Sequence, residues 1–372
     1  MIATTTFGLE AIVKRELLAL DLEVTQVENG KVNFMADISE IVKANLWLRC
    51  ADRVLLQVAQ FRAVTFDQLF EKTKSIDWSE FIPKNGKFPV DGQSVKSTLF
   101  SISDSQAIVK KAIVESLKEK YQLTWFPENG PVFNVKVSLL KDIATLTIDT
   151  SGVALHKRGY RQNAVTAPLK ETLAAALIYL SFWNKDRKLL DPFCGSGTIA
   201  IEAAMIAKNI APGISRDFVF KSWPMIDEET YKIVLREAYS KIDQELELDI
   251  TAYDISQENI DAAIDNADNA GVGDCIKFET KDFYNFSPKE DYTIMITNPP
   301  YGERLSELEE VQRLYAHMGK TLSKLKTWSI YVITSDKDFE KTFNKKSDRK
   351  RKLYNGRIET LYYQFYGENP NK

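Results

Sequence analysis

The chain has 372 residues, of which 44% are hydrophobic and 27% charged, as in a soluble globular protein of more than one domain. Its formal net charge of −3 does not indicate a nucleic-acid binder overall, although one basic face would be compatible with it. Three scattered cysteines and only two histidines disfavour a disulfide framework or a metal site. The sequence has neither a long uncharged apolar run nor a signal-peptide pattern, so we expect a cytoplasmic protein that does not associate with membranes.

The first half of the chain has an α+β pattern. Residues 2–6 form a predicted strand, and a helix follows in "GLEAIVKRELLAL". A hairpin is predicted at Asn29-Gly30, and a helix capped by Asp37 comes next. Beyond residue 65 we expect a helix in "TFDQLFEKTKSI", a strand in "SVKSTLFS", a helix in "SDSQAIVKKAIVESLKEKY" and paired strands in "VFNVKVSLLKDIATLTIDTSG".

The second half alternates strands and helices from about Leu189 onward, which predicts a doubly wound, mostly parallel sheet. A strand, a glycine turn and a helix are expected in "KLLDPFCGSGTIAIEAAMIA". Further strands are expected in "ELDITAYDIS", "IKFETKDF", "DYTIMITNPPY", "WSIYVITS" and "ETLYYQFY". The polar, basic segment "ALHKRGYRQNAVTAPLKE" is the candidate boundary between the two halves.

Polar groups follow three of these predicted strands. Gly195 and Gly197 would let the backbone approach a ligand closely, although a ligand-free turn is the alternative. Asp254 is placed to accept hydrogen bonds from ribose hydroxyls, and Asp282 from an adenine amino group beside the apolar Phe283; helix capping is the alternative for both acids. The missing third glycine and the late acid disfavour a nicotinamide dehydrogenase.

The stretch "TNPPYGERL" ends the fourth of these strands. The side-chain oxygen of Asn298 and the carbonyl of Pro299 could accept the N–H groups of an amine, and Pro300 helps to restrict the backbone. Tyr301 could stack on a base, a contact worth about 1–3 kcal/mol. The alternative is a proline-rich loop that carries a surface tyrosine.

Together, "DPFCGSGT" and "NPPY" resemble the motifs of class I S-adenosylmethionine-dependent methyltransferases that modify amino groups of DNA, RNA or protein glutamine. The first half resembles the ferredoxin-like and THUMP modules of RNA methyltransferases, among them the N-terminal part of the bacterial 23S rRNA guanine-N2 methyltransferase. The resemblance implies a ferredoxin-like domain at 1–64, a THUMP RNA-binding domain at 65–158 and a Rossmann-like methyltransferase domain, with an antiparallel last strand, at 159–372.

The resemblance also implies the site and its cofactor, S-adenosylmethionine, with no metal. Asp191 would meet the methionine amino group, Asp254 the ribose and Asp282 the adenine, while Thr166 would close over the methionine end. The implied cofactor-binding residues are Thr166, Asp191, Pro192, Phe193, Gly195, Gly197, Thr198, Asp254, Ile255, Asp282, Phe283 and Asn298. The implied catalytic residues are Asn298, Pro299, Pro300 and Tyr301.

The implied reaction is methyl transfer to an exocyclic amine, and guanine N2 of an unpaired or flipped nucleotide in 23S rRNA is the favoured target. The basic segment "KKSDRKRKLYNGR" could hold RNA phosphates, or could be an ordinary hairpin. Because the motif serves several amines, tRNA guanine, DNA adenine N6 and protein glutamine stay open as substrates. A non-catalytic RNA-binding assembly factor is the alternative from another class.

Overall fold

Two seven-stranded sheets organise the chain, which the computed structural model describes over residues 1–161, 169–288, 290–302 and 305–368. The strands of the first sheet are β1 (Ile2–Thr4), β2 (Val24–Glu28), β3 (Lys31–Phe34), β4 (Arg53–Arg62), β5 (Val90–Val95), β6 (Val135–Leu140) and β7 (Ile143–Asp149). The helices that accompany them are α1 (Glu10–Ala19), α2 (Ile38–Trp47), α3 (Phe66–Lys74) and α4 (Ile102–Tyr121), with a short 3-10 helix at Trp78–Glu80.

Strand β4 joins the two N-terminal modules. The strand order is β2-β3-β1-β4-β7-β6-β5, so β4 pairs with β1 on one side and with β7 on the other. The predicted hairpin at Asn29-Gly30 is confirmed, since β2 and β3 pair antiparallel around it. The predicted cap is also confirmed, because the Asp37 carboxylate accepts from the Glu40 backbone N–H in a capping box. The domain boundaries at residues 64 and 158 stay predictions.

The strand predicted in "SVKSTLFS" is misplaced. The observed strand β5 runs over Val90–Val95, and Lys96 adopts the left-handed conformation with a φ of 50°. Ser101 then caps α4 by accepting from the backbone N–H of Asp104 at 3.4 Å. The prediction was wrong because the polar stretch before Val95 carries no strand signal of its own; pairing with β6 selects it.

The second sheet belongs to the C-terminal half. Its strands are β8 (Leu189–Asp191), β9 (Ile250–Asp254), β10 (Ile276–Thr280), β11 (Ile294–Thr297), β12 (Ser329–Thr334), β13 (Arg349–Asn355) and β14 (Ile358–Phe365). The helices are α5 (Glu171–Tyr179), α6 (Thr198–Ala207), α7 (Glu228–Ser240), α8 (Gln257–Asn269), α9 (Leu305–Leu322) and α10 (Phe339–Thr342), with 3-10 helices at Val219–Ser222, Gly273–Cys275 and Phe283–Asn285. Within the described ranges, none of the helices is both long and apolar enough to cross a membrane.

The strand order of this sheet is β10-β9-β8-β11-β12-β14-β13, and β8 to β12 run parallel. The expected antiparallel last strand is confirmed, since β14 pairs antiparallel with β12. Apolar residues fill both faces: Leu189 and Ile296 lie in one buried cluster, and Leu190 and Met295 lie in the other. Because both faces of the sheet are covered, we expect a ligand to bind at the carboxyl ends of the parallel strands.

The segment 209–224 between α6 and α7, called the insertion below, ties this sheet to both N-terminal modules. Gly213 donates its backbone N–H to the Leu46 carbonyl at 2.9 Å, and a Cβ at Gly213 would come within 2.9 Å of the Leu46 Cα. The indole N–H of Trp223 donates to the Val132 carbonyl at 2.9 Å, and its ring stacks on Phe133 with 4.9 Å between centroids. The insertion therefore fastens the catalytic half to the first sheet.

A buried charge network reinforces the same junction. The guanidinium of Arg158 donates to the Glu202 carboxylate at 3.3 Å and to the Arg49 carbonyl at 2.6 Å. Tyr160 donates its hydroxyl to Glu202 at 3.3 Å. The Arg49 guanidinium in turn donates to the carbonyl of Ile210, beyond the end of α6. Because Glu202 is fully buried with Arg158, its carboxylate compensates the positive charge of Arg158 at a place that water does not reach.

Replacing Glu202 with glutamine is therefore expected to lower the free energy of unfolding by about 2–3 kcal/mol, because the Arg158 cation stays buried without its counter-charge. Urea titration measures this loss. The exposed Glu245→Gln variant is the matched control and should stay within about 0.5 kcal/mol of the unmodified chain. Equal stability of both variants would contradict the role assigned to Glu202.

Candidate active site

Three neighbouring parallel strands end in polar residues at one edge of the second sheet. β8 ends at Asp191, β9 at Asp254 and β11 at Thr297, directly before Asn298. Because β8 lies between β9 and β11, the ends of these strands are adjacent. The polar residues at these three strand ends therefore lie along one edge of the sheet.

The turn between β8 and α6 has glycine at two positions whose backbone conformation favours glycine. Gly195 has a φ of 51° and Gly197 a φ of 81°, both in the left-handed region. At Gly197 a Cβ would approach the Ala263 Cβ to 3.0 Å, so close packing adds to the conformational need. At Gly195 a Cβ would meet no described atom within 4 Å, so the backbone there faces open space. A ligand can therefore reach the turn on the Gly195 side.

Asp254 connects this turn to the next strand. Its Oδ2 accepts from the Gly195 backbone N–H at 3.0 Å. Its Oδ1 accepts from the Ser256 backbone N–H and from the Asn259 side-chain amide, both at 3.0 Å. A carboxylate offers about four acceptor directions, so the fixed side chain retains capacity for further donors. Ile255 follows directly and is 70% exposed, so an apolar surface lies beside an acceptor.

Asp191 is buried beneath the turn, with an exposed fraction of only 1%. Its Oδ1 accepts from the Thr297 hydroxyl at 2.7 Å and from the Phe193 backbone N–H at 3.3 Å. Burial raises the pKa of Asp191 to about 7; the charge of Asp254 also raises it, and the hydrogen bonds from Thr297 and Phe193 oppose the shift. Asp191 therefore links the glycine turn to the strand that carries Asn298, and a nearby cation would favour its ionised form.

Asp282 and Phe283 have mainly structural contacts in this conformation. Asp282 Oδ1 accepts from the Tyr284 backbone N–H at 2.9 Å and caps the short 3-10 helix. Phe283 is 4% exposed, and its ring centroid lies 5.1 Å from that of Phe193. The capping alternative for Asp282 is thus realised, and it leaves Oδ2 outside the cap. Phe283 supports Phe193 from below instead of lining an open surface.

The Asn298–Tyr301 segment has internal and external anchors. The Tyr301 hydroxyl donates to Asn298 Oδ1, which has a second lone pair for another donor. Pro299 is buried and Pro300 is exposed. The hydroxyl of the fully buried Tyr315 donates to the Pro300 carbonyl at 2.8 Å. The backbone of the segment is therefore held by α9 as well as by the prolines.

Sequence reasoning missed several residues that hold the site. Arg161 donates to the Thr198 hydroxyl at 2.7 Å, at the start of α6. Thr297 and Tyr315 were not singled out because one ends a buried strand and the other lies among apolar helix residues, so only their partners reveal their roles. The prediction for Thr166 lies outside the described residues. Across the described residues, no group of three or more His, Cys, Asp or Glu side chains is arranged to hold a metal ion.

The strand order, the glycine turn and the acids at the strand ends define the catalytic domain of a class I methyltransferase. The chain belongs to the RMKL-like methyltransferase family, whose methyltransferase domain matches residues 158–364. The RlmL ferredoxin-like domain matches residues 1–55, and the THUMP domain matches residues 63–149. The family uses S-adenosylmethionine. These matches confirm the expected fold and the expected class, an S-adenosylmethionine-dependent RNA methyltransferase.

Three relatives illustrate the similarity. YpsC of Bacillus subtilis, whose name assigns it provisionally as an RNA methyltransferase, is 50% identical over 370 residues, which cover 99% of this chain and 96% of that protein. The ribosomal RNA large subunit methyltransferase K/L of Syntrophotalea carbinolica is 34% identical over 98% of this chain, which spans only 53% of that protein. The crystal structure of SMU.472 with bound SAH has 45% identity, covers 99% of this chain and 98% of its own, and has a TM-score of 0.94.

Proposed function

We propose that this methyltransferase transfers a methyl group to guanine N2 of 23S rRNA, in an unpaired or flipped nucleotide. The observation that supports methyl transfer to an amine at this site is the hydrogen bond from Thr297 to Asp191, which couples the Asn298 segment to the strand of the cofactor turn. The name of the K/L relative supports large-subunit rRNA as the substrate, although the chain covers about half of that protein. The cytoplasmic location stays a prediction.

The residues of the turn fit S-adenosylmethionine. Asp191 would hold the methionine amino group, Asp254 would accept from the ribose hydroxyls, and Asp282 would accept from the adenine through the oxygen outside its cap. The backbone at Gly195 is open to a ligand. The proposed cofactor contacts further include Pro192, Phe193, Gly197, Thr198, Ile255, Phe283, Asn298 and, outside the described residues, Thr166. When bound, S-adenosylmethionine supplies an electrophilic methyl group on a sulfonium sulfur.

In the proposed mechanism the protein orients the amine. Asn298 Oδ1 and the Pro299 carbonyl accept the two N–H groups, and Tyr301 stacks on the base. With its N–H groups held in this way, the amine would present its nitrogen to the methyl group that bound S-adenosylmethionine would supply, and the proton that the nitrogen loses would pass to water. Positioning of the two reactants supplies most of the rate enhancement. Tyr315 keeps the Pro300 carbonyl in place and thereby fixes the direction of the segment.

The affinity for S-adenosylmethionine is expected to rise with pH through about 7, because the cationic amino group of the ligand favours ionised Asp191 and the pKa of Asp191 is about 7 without ligand. Below that pH, the affinity should fall by up to about tenfold per unit, since binding must release the proton. Calorimetry between about pH 5.5 and 7.5 keeps the ligand amino group protonated. The Asp191→Asn variant should bind more weakly with a flat profile; a flat profile in the unmodified chain would contradict the assignment.

The substrate is tested by nucleoside mass spectrometry of rRNA and tRNA from a strain that lacks the protein. We expect one N2-methylguanine to be missing from 23S rRNA, and purified protein with S-adenosylmethionine should restore it. A missing methyl group in tRNA, or on adenine N6, would overturn the guanine-N2 rRNA proposal. The Asn298→Ala protein is the negative control and should not restore the missing methyl group.

A further inference from the structure

A cleft of about 630 Å³ lies beside the candidate active site and shares Arg161 with it. Its walls come from the segment that follows β7, from the start of α5 and from the insertion at 209–224. The side chains that give the cleft its character are basic or nitrogen-rich: His156, Lys157, Arg158, Arg161, Lys170 and Arg216. Glu171 and Asp217 are the acids in its lining.

The charges of this cleft do not balance. Arg158 is paired with Glu202 at 3.3 Å, and Arg161 with Glu171 at 3.5 Å. Asp217 is paired with Lys221 at 2.6 Å, so it does not neutralise the cleft. Among the described residues, no carboxylate forms an ion pair with the three remaining cations, which are Lys157, Lys170 and Arg216. The cleft thus carries an excess of positive charge.

The surroundings of His156 show the same excess of positive charge. Burial lowers the pKa of His156 to about 4. Nearby positive charges contribute to the same shift, namely those of Lys170, Arg158, Lys157 and Arg161. Its Nδ1 is buried without a hydrogen-bond partner among the described residues. The same holds in that part of the chain for the Nε atoms of two lining arginines, Arg161 and Arg216. Glu171 Oε2 is likewise without a partner there, and a neutral imidazole has one accepting nitrogen, so the cleft has an excess of positive charge and not simply of donors.

The position of the cleft connects the two halves of the chain. Val153 and His156 follow β7, the last strand of the THUMP module. On the other side, Arg161 donates to Thr198 at 2.7 Å, directly after the glycine turn. A chain of nucleotides that runs from the THUMP module to the methyl donor would pass this cleft.

We propose that this cleft binds backbone phosphates of the RNA substrate, with Lys157 and Lys170 as the main contacts. The inference rests on the proposed function only in that the substrate is RNA, and it does not depend on which nucleotide is methylated. RNA is favoured over a small anion because the cleft is larger than one phosphate needs and lies between an RNA-binding module and the cofactor turn. Lysines hold phosphates through charge and tolerate a moving backbone.

The test compares RNA binding by the full chain carrying Lys157→Gln and Lys170→Gln with binding by the unmodified chain. Lys324→Gln with Lys326→Gln is the matched control, because these exposed lysines precede β12 at the opposite edge of the sheet and remove the same charge. The probes are unmodified 23S rRNA and single-stranded poly(U). We expect about tenfold weaker binding of both probes and a salt slope smaller by about 1.4–1.8, which corresponds to two lost phosphate contacts.

Three outcomes would overturn the proposal. The first is an unchanged affinity and salt slope, and the second is an equal loss in the control variant, which would indicate only long-range charge. The third is calorimetric binding of inorganic phosphate that the substitutions abolish without affecting RNA. Calorimetry with S-adenosylmethionine shows whether each variant keeps its fold, and the single Lys157→Gln variant, exposed at that position, replaces the pair if it does not. The poly(U) result holds even if 23S rRNA is not the substrate.

Discussion

Replacing Asn298 with alanine is expected to lower kcat for RNA methylation by about 10²- to 10³-fold, comparable to the loss of one preorganised hydrogen-bonding group in other active sites. The physical reason is that the amine loses a hydrogen-bond acceptor. That acceptor both orients the amine and stabilises the positive charge that develops on its nitrogen. Binding of S-adenosylmethionine should weaken by a much smaller factor, because Asn298 is one proposed cofactor contact among several and Asp191, Asp254 and Asp282 stay in place. Single-turnover methylation with radiolabelled donor measures the rate, and calorimetry measures the cofactor Kd.

The matched control for this variant is Asn184→Ala, an exposed asparagine before β8 at the opposite edge of the sheet. Its rate should equal that of the unmodified chain. Tyr315→Phe is an informative companion, because it removes only the hydroxyl, which bonds the Pro300 carbonyl and the Thr334 hydroxyl, and it should lower kcat by a smaller factor. A normal rate in Asn298→Ala would show that the amine is oriented by other groups.

Replacing Asp254 with alanine is expected to weaken S-adenosylmethionine binding by about 10²- to 10⁴-fold, since hydrogen bonds to a charged group are worth about 1.5–3 kcal/mol each and the bonds from two ribose hydroxyls would be lost. A second contribution comes from the protein itself. The Gly195 N–H and the Asn259 amide lose their acceptor, so the turn is less well ordered before the ligand arrives. Calorimetry measures the Kd directly.

Asp265→Ala is the control for this prediction, because Asp265 is an exposed acid on the adjacent helix α8 and its removal changes the net charge equally. Its Kd should match that of the unmodified chain. Asp254→Asn separates the two contributions, since the amide oxygen can still accept from Gly195 while the negative charge is gone. Unchanged binding by Asp254→Ala would show that the ribose lies elsewhere.

The sequence sufficed to predict residues whose position follows from a local pattern. Asp254 and Asn298 each end a strand-like run, and parallel strands bring their carboxyl ends to one edge whatever the details of packing. The glycines of the turn were evident for a similar reason, because the left-handed backbone at Gly195 and Gly197 depends on residue type. Asp191 was implied by the resemblance to class I methyltransferases and not by a local pattern.

Features that depend on distant partners could not be predicted in this way. The strand β5 is selected by pairing with β6, and its own residues alternate too weakly to reveal it. Thr297 and Arg161 became site residues only because folding brings them to Asp191 and Thr198. The sharing of β4 between two modules is a matter of tertiary pairing, which no local periodicity records.

Strand β4 also bears on which nucleotide of a bound RNA reaches the active site. Residues 53–55 of β4 pair with β1 and residues 55–62 pair with β7, so one continuous strand runs through both N-terminal modules. Gly213, which contacts the ferredoxin-like module, and Trp223, which contacts the THUMP module, attach these modules to the catalytic half. An RNA bound to the THUMP module would therefore present to Asn298 the nucleotide that lies at a fixed distance from its point of attachment. We therefore expect distance along the RNA to select the target. Adding one base pair to the intervening RNA stem should shift methylation to a neighbouring nucleotide.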